Sequence, residues 1–458
     1  MRLTILGGGG FRVPLVYGAL LRDHAPGRVT EVVLHDLDAA RLHAIGRVLA
    51  DRAYGIEDAP AVRTTTDLDE ALRGTDFVFS AIRVGGLEGR AADERIALAE
   101  GVLGQETVGA GGIAYGLRTV PVAAHIARRV KALAPDAWVI NFTNPAGLVT
   151  EAMAEHLGDR VVGICDSPVG LARRVARAAG VDPGAARLDY VGLNHLGWLR
   201  GLYDGGENVL PRLLAQDDEV LTSFEEGRLF GAEWLRSLGS VPNEYLHYYY
   251  FNREAVEAYQ RAGQTRGAFL KDQQERFYAT AETVPDASVW AAWDRTRAER
   301  DATYMSANRK ASGGGERAAE DLESGGYENV ALALMRAIAR DEAATLVLNV
   351  RNGSSLRALD ERAVIEIPCR VDARGPRPLP VSQLTGHEAG LVGAVKAVER
   401  CVLEAASSGS ARAAVKAFAL HPLVDSVQVA RRLLDGYRGV HPGLGYLRTD
   451  QAGPAPRS

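Results

Sequence analysis

Residues 3–21 read LTILGGGGFRVPLVYGALL, and this stretch decides the class of fold. An apolar run, four consecutive glycines and a helical pattern follow one another directly, which predicts a buried strand, a tight turn and a helix. Residues 31–38, EVVLHDLD, then predict a second strand that ends in acidic residues. This order is the opening of a βαβ unit of the kind that binds dinucleotides.

The glycine turn and the acid after the second strand are the predicted cofactor contacts. Gly7, Gly9 and Gly10 let the backbone come close to a pyrophosphate, which the amides and dipole at the helix N-terminus stabilise. Asp36 is placed to accept hydrogen bonds from the adenosine ribose, and its charge favours NAD over NADP because it repels a 2'-phosphate. Arg12 stands where the third glycine of the usual pattern would be, so the motif alone also allows a structural turn.

Three further apolar segments extend the pattern: TDFVFSAIRVGG at 75–86, AWVINFTNP at 137–145 and RVVGIC at 160–165. They alternate with helical patterns, so the sequence predicts an α/β fold with a Rossmann-like, doubly wound parallel sheet. Ligands of such sheets bind beyond the carboxyl ends of the strands. We therefore expect the polar residues after these strands to share one crevice, with the arginine on the cofactor side. They are Arg83, Asn144, Cys165 and Asp166.

The pattern of the chain changes near residue 175. Helical segments with many aromatic residues follow, interrupted by LDYVGLNHLGWLRGLYD at 188–204, which alternates like paired strands. We expect an NAD-binding Rossmann-like domain at 1–175. A second, mixed α+β and largely helical domain is expected at 176–458, for catalysis, substrate binding and oligomerisation.

Composition and charge exclude several classes of protein. The 458 residues carry a net charge of -5, which leaves no basic surface of the kind that binds nucleic acid. No signal-peptide pattern and no apolar run long enough for a membrane helix occur, so we expect a cytoplasmic protein without membrane partners. The cysteines, Cys165, Cys369 and Cys401, are too scattered for a disulfide framework.

Cys165 and His195 are candidate ligands of a divalent metal. Thiolate and imidazole suit such an ion and leave coordination positions open for substrate oxygens. Cys165 could equally be an inert buried thiol, and His195 a hydrogen-bonded core residue. Their spacing in the sequence does not show that they meet.

Aromatic and basic residues further along the chain allow two interpretations each. Tyr245 lies in VPNEYLHYYYF at 241–251 and would act as a general base if a nearby cation lowered its pKa from about 10. The same stretch also fits an aromatic wall. Arg90 and Arg266 are either solvated helix charges or a pair of guanidiniums that grip a phosphate.

Eight segments occur in the order and rough spacing of the family 4 glycoside hydrolases, which the chain resembles from residue 3 to about 435. They are ILGGGGFRVP, GQETVGAGGIAYGLR, INFTNPAGL, GICDSPVG, YVGLNHLGW, VPNEYLHYYYF, QTRGAF and VIEIPC. Members of this family depend on NAD and are exceptions to two-carboxylate glycoside hydrolysis. The resemblance implies 6-phospho-glucosidase activity, with NAD and a divalent metal, usually manganese, as cofactors.

The resemblance also implies a role for each candidate residue. Cys165 and His195 would hold the metal. Asp166 would donate a proton to the leaving group, and Tyr245 would be the general base. The implied substrate contacts are Arg90, Glu106, Asn144, Asn194 and Arg266.

The reaction implied by the resemblance begins with hydride transfer from carbon 3 of the sugar to NAD. Tyr245 then removes the proton on carbon 2, the group on carbon 1 is eliminated, water adds, and the hydride returns. The segment CDSPVG resembles the 6-phospho-α-glucosidases, whereas FTNPAG and the C-terminal half resemble the β type, which we favour. A hydroxy-acid dehydrogenase and a non-catalytic NAD-binding protein are the alternative functions. The resemblance further implies a homodimer or homotetramer.

Overall fold

The computed structural model of the protein describes residues 1–304 and 326–448. Its strands are β1 (Arg2–Leu6), β2 (Glu31–His35), β3 (Ala61–Thr65), β4 (Phe77–Ser80), β5 (Trp138–Asn141), β6 (Val161–Gly163), β7 (Arg187–Leu193), β8 (Leu196–Asp204), β9 (Glu207–Asn208), β10 (Val241–Pro242), β11 (Ala344–Arg351), β12 (Val364–Asp372) and β13 (Gly375–Pro378). Within the described chain they form one sheet in the order β10-β8-β7-β12-β11-β6-β5-β4-β1-β2-β3. The short strand β9 pairs with β8, and β13 pairs with β12.

Helices connect the strands and cover the sheet. They are α1 (Val13–Leu20), α2 (Ala39–Ala53), α3 (Leu68–Leu72), α4 (Gly86–Ala99), α5 (Gly109–Leu133), α6 (Ala146–Leu157), α7 (Ser167–Ala178), α8 (Leu210–Leu214), α9 (Asp218–Leu221), α10 (Glu225–Phe230), α11 (Ala232–Leu238), α12 (His247–Tyr250), α13 (Asn252–Arg261), α14 (Arg266–Thr283), α15 (Asp286–Ala302), α16 (Tyr327–Arg340), α17 (Gly386–Ser408), α18 (Ala411–Leu420) and α19 (Val427–Val440). Short 3-10 turns lie at Gly158–Arg160, Glu244–Leu246 and Pro442–Leu444.

The first six strands form the predicted nucleotide-binding half. β1 pairs in parallel with β2 and β4, β2 pairs with β3, and β5 joins β4 to β6. Successive strand residues point to opposite faces: Ile5 and Phe79 enter one apolar cluster, whereas Leu6 and Val78 enter another. Burial on both faces explains why the strands other than β3 are mostly apolar, whereas β3, at the edge of the sheet, is largely exposed and carries Arg63 and two threonines. The predicted α/β class with a Rossmann-like, doubly wound parallel sheet is confirmed.

The sheet continues beyond its parallel half. β11 pairs antiparallel with β6 and with β12, and β12 pairs antiparallel with β7. The boundary predicted between residues 175 and 176 falls inside α7 (Ser167–Ala178), and strands from both sides of it share the same sheet. The later part of the chain is mixed α+β and largely helical, as the sequence indicated.

A separate helical layer packs outside the sheet. Helices α17, α18 and α19 bury Val402, Phe418 and Leu433 with Leu117 of α5. Fully burying an aliphatic or aromatic side chain contributes roughly 1.5–3 kcal/mol, so this layer holds α5 firmly. Tyr115 of α5 lines the cavity at the end of the parallel strands. Within the two described ranges, no helix is both long and apolar enough to cross a membrane.

Candidate active site

A cavity of about 1470 Å³ opens beyond the carboxyl ends of the parallel strands. This is where ligands bind in doubly wound sheets, because the direction of the connections changes there. Of the residues that the sequence singled out, Gly9 and Asn194 do not line this cavity. Those that line it are Gly7, Gly10, Asp36, Arg83, Arg90, Glu106, Asn144, Cys165, Asp166, His195, Tyr245 and Arg266.

The glycine loop forms one end of the cavity. Gly7 has φ +81°, and a Cβ there would lie 2.6 Å from the carbonyl oxygen of Ala81, so only glycine fits. The amide of Gly9 donates to Oδ2 of Asp36 at 3.0 Å, which ties the loop to the end of β2. The loop leads directly into α1, whose first residue Val13 also lines the cavity. A bare backbone loop, a helix N-terminus and an acid after the second strand together fit a dinucleotide that lacks a 2'-phosphate.

Arg12, which breaks the glycine pattern, lies between the loop and the catalytic candidates. Its guanidinium carbon lies 4.5 Å from the ring centre of Tyr327 and 5.4 Å from that of Phe142. Its Nη2 lies 3.9 Å from Oδ2 of Asp166. A third glycine would have left this position without a side chain, so the departure from the motif places a cation beside Asp166.

A thiol and an imidazole meet in a buried corner of the cavity. Sγ of Cys165 lies 3.7 Å from Nε2 of His195, although the residues are 30 positions apart. Cys165 follows β6, and His195 occupies the turn between β7 and β8 with φ +62°, a conformation that non-glycine residues rarely adopt. Such strain persists where the surrounding structure enforces it, often at functional sites.

The electrostatics of these two donors suit a divalent cation. Burial lowers the pKa of His195 to about 4, so its imidazole is neutral and carries a lone pair. Burial, together with the charges of Glu366 and Asp166, raises the pKa of Cys165 well above its ordinary value, and a bound cation would reverse this. Within residues 1–304 and 326–448, no group of three His, Cys, Asp or Glu side chains is arranged to hold a metal. Cys165 and His195 therefore fit an open site whose other ligands come from substrate or solvent.

Tyr245 joins the same corner. Its ring stacks on the ring of His195, with centroids 3.7 Å apart and planes inclined by 16°. Its hydroxyl lies 3.1 Å from the hydroxyl of Tyr304, which donates to Oε1 of Glu244 at 2.8 Å. Burial, and then the charge of Glu244, raises the pKa of Tyr245 well above 10. The phenol can act as a base only beside a cation, which Cys165 and His195 are placed to hold.

Arg90 and Arg83 have their charges neutralised inside the protein. Both guanidiniums form ion pairs with Glu106, and Nε of Arg90 also donates to Oε1 of Glu94 at 2.8 Å. Burial disfavours the ionised form of Glu106, but the charges of Arg83 and Arg90 outweigh it and lower its pKa to about 2. This cluster offers a polar wall with little net charge, which suits sugar hydroxyls better than a phosphate.

Among the described residues, Arg266 has no carboxylate ion pair and Arg300 has only a distant one, 3.8 Å to Asp301. Arg266 donates to Oγ1 of Thr303 at 2.7 Å and to the carbonyl oxygen of Arg300 at 2.8 Å, and both of these acceptors are neutral. Burial and the charge of Arg90 lower the pKa of Arg266 to about 10. Burial and the charges of Arg12 and Arg266 lower the pKa of Arg300 to about 9. Both side chains line the cavity, so this end of it attracts an anion.

The two asparagines differ in what they face. Oδ1 of Asn144 is buried on the cavity wall without a hydrogen-bond partner among the described residues, so it is available to a ligand. Asn194, expected to touch substrate, instead serves the scaffold. Its Oδ1 accepts from the amide of Ala146 at 3.2 Å, and its Nδ2 donates to Oε1 of Glu366 at 3.1 Å.

Sequence reasoning missed several residues of the site. Arg300 lies in WDRTRAERDATY, where alternating charges read as a solvated helix face. Arg12 was visible as a break in the glycine pattern, but no local signal gave it a role. The other missed residues are Glu244, Tyr304, Tyr327 and Glu366.

The family model described as Family 4 glycosyl hydrolase matches residues 2–181, and the model of the C-terminal domain of that family matches residues 190–424. The chain belongs to glycosyl hydrolase family 4. It is therefore a glycoside hydrolase, and the resemblance noted from its sequence motifs is confirmed. Membership separates it from the hydroxy-acid dehydrogenases, which share the nucleotide-binding fold.

Curated relatives of this family 4 chain include both anomeric types. A Bacillus subtilis (strain 168) protein named "Probable 6-phospho-beta-glucosidase" is 33% identical over 448 residues, with 96% of each chain covered. Maltose-6'-phosphate glucosidase of the same organism is 29% identical, with 94% of each chain covered.

Solved structures of similar fold include two complexes. The 6-phospho-beta glucosidase from Thermotoga maritima, with NAD and glucose-6-phosphate, matches with a TM-score of 0.82 and 25% identity, covering 98% of this chain and all (100%) of the other. A 6-phospho-alpha-glucosidase from gut microorganisms, in complex with NAD and Mn2+, matches with a TM-score of 0.80 and 26% identity, covering 98% of this chain and 99% of the other.

Proposed function

We propose that this glycoside hydrolase acts on 6-phosphoglucosides, with the β anomer as its substrate and NAD and manganese as cofactors. The observation that carries the proposal is the meeting of the Cys165 thiol, the His195 imidazole and the Tyr245 phenol in one buried corner of a cavity that a glycine loop closes at its other end. Relatives named 6-phospho-glucosidases and the two solved complexes support it.

The residues present fit both cofactors. The glycine loop and Asp36 would hold NAD, and Cys165 with His195 would hold manganese. When bound, NAD accepts and returns a hydride at carbon 3 of the sugar, and the metal polarises the oxygen on that carbon. The protein's own residues then have to move protons at carbon 2 and at the leaving oxygen.

Tyr245 is the proposed base at carbon 2. Stacking on His195 holds its ring, and the hydrogen-bonded chain through Tyr304 to Glu244 sets the direction of its hydroxyl. A base held in a fixed orientation is already placed to accept the proton. Proton transfer by such a positioned side chain contributes about 10²–10⁴-fold to the rate.

Asp166 is the proposed proton donor to the leaving group. It stands directly after Cys165 at the start of α7, and its side chain on the cavity wall is 34% exposed. This exposure keeps the carboxyl in contact with solvent, while Arg12 at 3.9 Å limits its orientation. Departure of a poor alkoxide needs this protonation.

Arg266 and Arg300 are proposed to bind the 6-phosphate. The hydrogen bonds of Arg266 within the described chain go to neutral acceptors, and the ion pair of Arg300 with Asp301 is long, so a phosphate would supply the missing negative charge. The neutral wall of Arg90, Glu106 and Arg83 is left for the sugar hydroxyls.

The decisive assay uses nitrophenyl glucosides of both anomers, each with and without a 6-phosphate, in the presence of NAD and manganese. We expect release of nitrophenol from the β-6-phosphate without net formation of NADH, and loss of this activity on chelation. Cleavage of the α-6-phosphate alone would assign the enzyme to the α type. Steady accumulation of NADH, or activity that survives chelation, would contradict the proposed chemistry.

The variant Tyr245→Phe tests the base. It keeps the ring that stacks on His195 but removes the hydroxyl, so we expect turnover to fall by about 10²–10⁴-fold while NAD binding is unchanged. Exchange of the carbon 2 hydrogen with deuterated solvent should stop in parallel. Tyr249→Phe is the matched control, because Tyr249 belongs to the same motif and is not among the cavity-lining residues. Undiminished turnover or exchange in Tyr245→Phe would remove Tyr245 from this role.

We further propose that the enzyme works in the cytoplasm as a homodimer or homotetramer. Phosphorylated sugars are intracellular metabolites, and the outer helices expose apolar side chains, with Leu420 at 48% and Val427 at 53%. Light scattering coupled to size-exclusion chromatography would measure the oligomeric state, and a monomer would contradict this part of the proposal.

A further inference from the structure

A row of paired residues crosses the sheet directly beneath the two metal-ligand candidates. Gly163 of β6 pairs with Asn349 of β11, Asn349 pairs with Glu366 of β12, and Glu366 pairs with Gly192 of β7. Cys165 lies two residues after the first end of this row, and His195 lies three residues after the other end. The row therefore determines how far apart the two donors stand.

Glycines at the two ends of the row leave room for different neighbours: Gly163 for the side chain of Asn349, and Gly192 for the backbone of β8. A Cβ on Gly163 would lie 2.7 Å from Cβ of Asn349, and a Cβ on Gly192 would collide with the carbonyl oxygen of Leu196. The side chain of Glu366 fills the middle of the row and is 1% exposed.

Glu366 is a buried carboxylate, and the hydrogen-bond donors that reach it from the described residues are all neutral. Its Oε1 accepts from Nδ2 of Asn349 at 2.9 Å and from Nδ2 of Asn194 at 3.1 Å, and its Oε2 accepts from the hydroxyl of Tyr190 at 3.0 Å. A buried carboxylate without a cation beside it is unfavourable unless a positive charge enters the site.

The bonds made by Glu366 lead to both sides of the site. Asn194, the residue before His195, donates from Nδ2 to Glu366 and accepts at Oδ1 from the amide of Ala146. Both polar atoms of its carboxamide are therefore held. This clamp maintains the turn in which His195 has φ +62°. On the other side, the hydroxyl of Tyr190 accepts from Nδ2 of Asn243 at 3.5 Å, and Oδ1 of Asn243 accepts from the amide of Tyr245 at 3.1 Å.

We propose that Glu366 is a positioning residue for the divalent cation: through Asn194 it holds His195 in its strained turn at the distance from Cys165 that the ion requires, and its charge favours the ion. This inference rests on the proposed function, because it takes the metal to be part of it. It assigns Glu366 no contact with substrate. Altering Glu366 should therefore change the affinity for the metal, and turnover should change only because less metal is bound.

Glu366→Gln is the primary test, because it keeps the shape of the side chain but removes the charge and replaces one carboxylate oxygen with an amide NH2 group. Affinity for Mn2+ is measured by the electron paramagnetic resonance signal of the free ion in the presence of NAD, and affinity for NAD is measured calorimetrically. We expect Mn2+ affinity to fall about tenfold or more, the range found for partners of metal ligands, with NAD affinity unchanged. Activity should recover at high Mn2+.

Two further variants keep the test interpretable. Ile365→Val removes one buried methylene from the neighbouring position of β12 and costs about 0.5–1.5 kcal/mol of stability, so it controls for simple loosening and should leave Mn2+ affinity unchanged. Asn194→Ala cuts the same link to His195 without touching the strand, and provides the test if Glu366→Gln does not fold. The double variant should lose less than the sum of the single losses, since both act along one path.

Two results overturn the inference. Unchanged Mn2+ affinity in folded Glu366→Gln and Asn194→Ala, or an equal loss in Ile365→Val, would show that Glu366 only supports the sheet. Absence of Mn2+ binding in the unaltered protein would contradict the metal dependence in the proposed function as well, so the two failures are distinguishable.

Discussion

Replacing Arg300 with glutamine should lower the preference for a 6-phosphoglucoside over a plain glucoside by about 10- to 100-fold. Arg300 lines the cavity, and its Nε is buried without a hydrogen-bond partner among the described residues. Within the described part of the chain, its ion pair is a distant one, 3.8 Å to the adjacent Asp301. The guanidinium of Arg300 therefore has N–H groups that can donate to a phosphate, and the phosphate would neutralise its charge.

The size of the effect follows from the strength of one charge-assisted contact. A hydrogen bond to a charged group contributes about 1.5–3 kcal/mol, and 1.36 kcal/mol corresponds to a tenfold change in rate. Arg300→Gln should thus lower kcat/KM for the 6-phosphorylated substrate by about 10- to 100-fold. Hydrolysis of the unphosphorylated glucoside should stay within about twofold, because the proposed binding mode places the sugar against Arg90 and Glu106 rather than Arg300.

The assay measures kcat/KM for nitrophenyl glucosides with and without the 6-phosphate, and inhibition by inorganic phosphate, in each variant. Arg266→Gln should behave like Arg300→Gln. Arg295→Gln is the matched control, since Arg295 lies on the same helix but is exposed and is not among the residues that line the cavity. Equal losses on both substrates in Arg300→Gln would show a structural role, and unchanged selectivity would refute the assignment of the phosphate to this end of the cavity.

Two other predictions concern the metal and the folded state. Cys165→Ser should weaken Mn2+ binding and restore part of the activity at high Mn2+, because a hydroxyl is a poorer ligand than a thiolate; Cys401→Ser, another buried cysteine, is the control, and equal Mn2+ affinity in both variants would contradict the ligand role. His421 is buried with its pKa lowered to about 3 by desolvation, so the folded protein keeps it neutral while the unfolded chain takes up a proton below pH 6.5. Stability should therefore fall by about 2 kcal/mol between pH 7 and pH 5 from this residue alone. Urea unfolding of His421→Asn, which keeps an acceptor for the amide of Leu423, should show a correspondingly flatter pH dependence, and an identical slope would contradict this cause.

The parallel half of the sheet and the cofactor end of the cavity could be predicted because they depend on neighbours in the sequence. A strand, a glycine turn and a helix follow one another within residues 2–20, and the need for glycine at position 7 is a property of that turn. The acid at position 36 likewise follows its strand directly. Motif order was enough to indicate the family as well, and the family models confirmed it.

The fold alone decided which charges are neutralised and which polar groups face the cavity. Arg90 and Arg300 look alike in the sequence, yet one is paired with Glu94 and Glu106 and the other is left to attract an anion. Asn194 looked like a substrate contact but bonds to Glu366, 172 positions away. The single sheet that crosses the expected domain boundary, and the meeting of Cys165, His195 and Tyr245, are also long-range outcomes. Backbone preferences act between adjacent residues. Charge compensation and hydrogen bonding instead act over a few ångströms of space, and only the folded chain determines which residues lie within that distance.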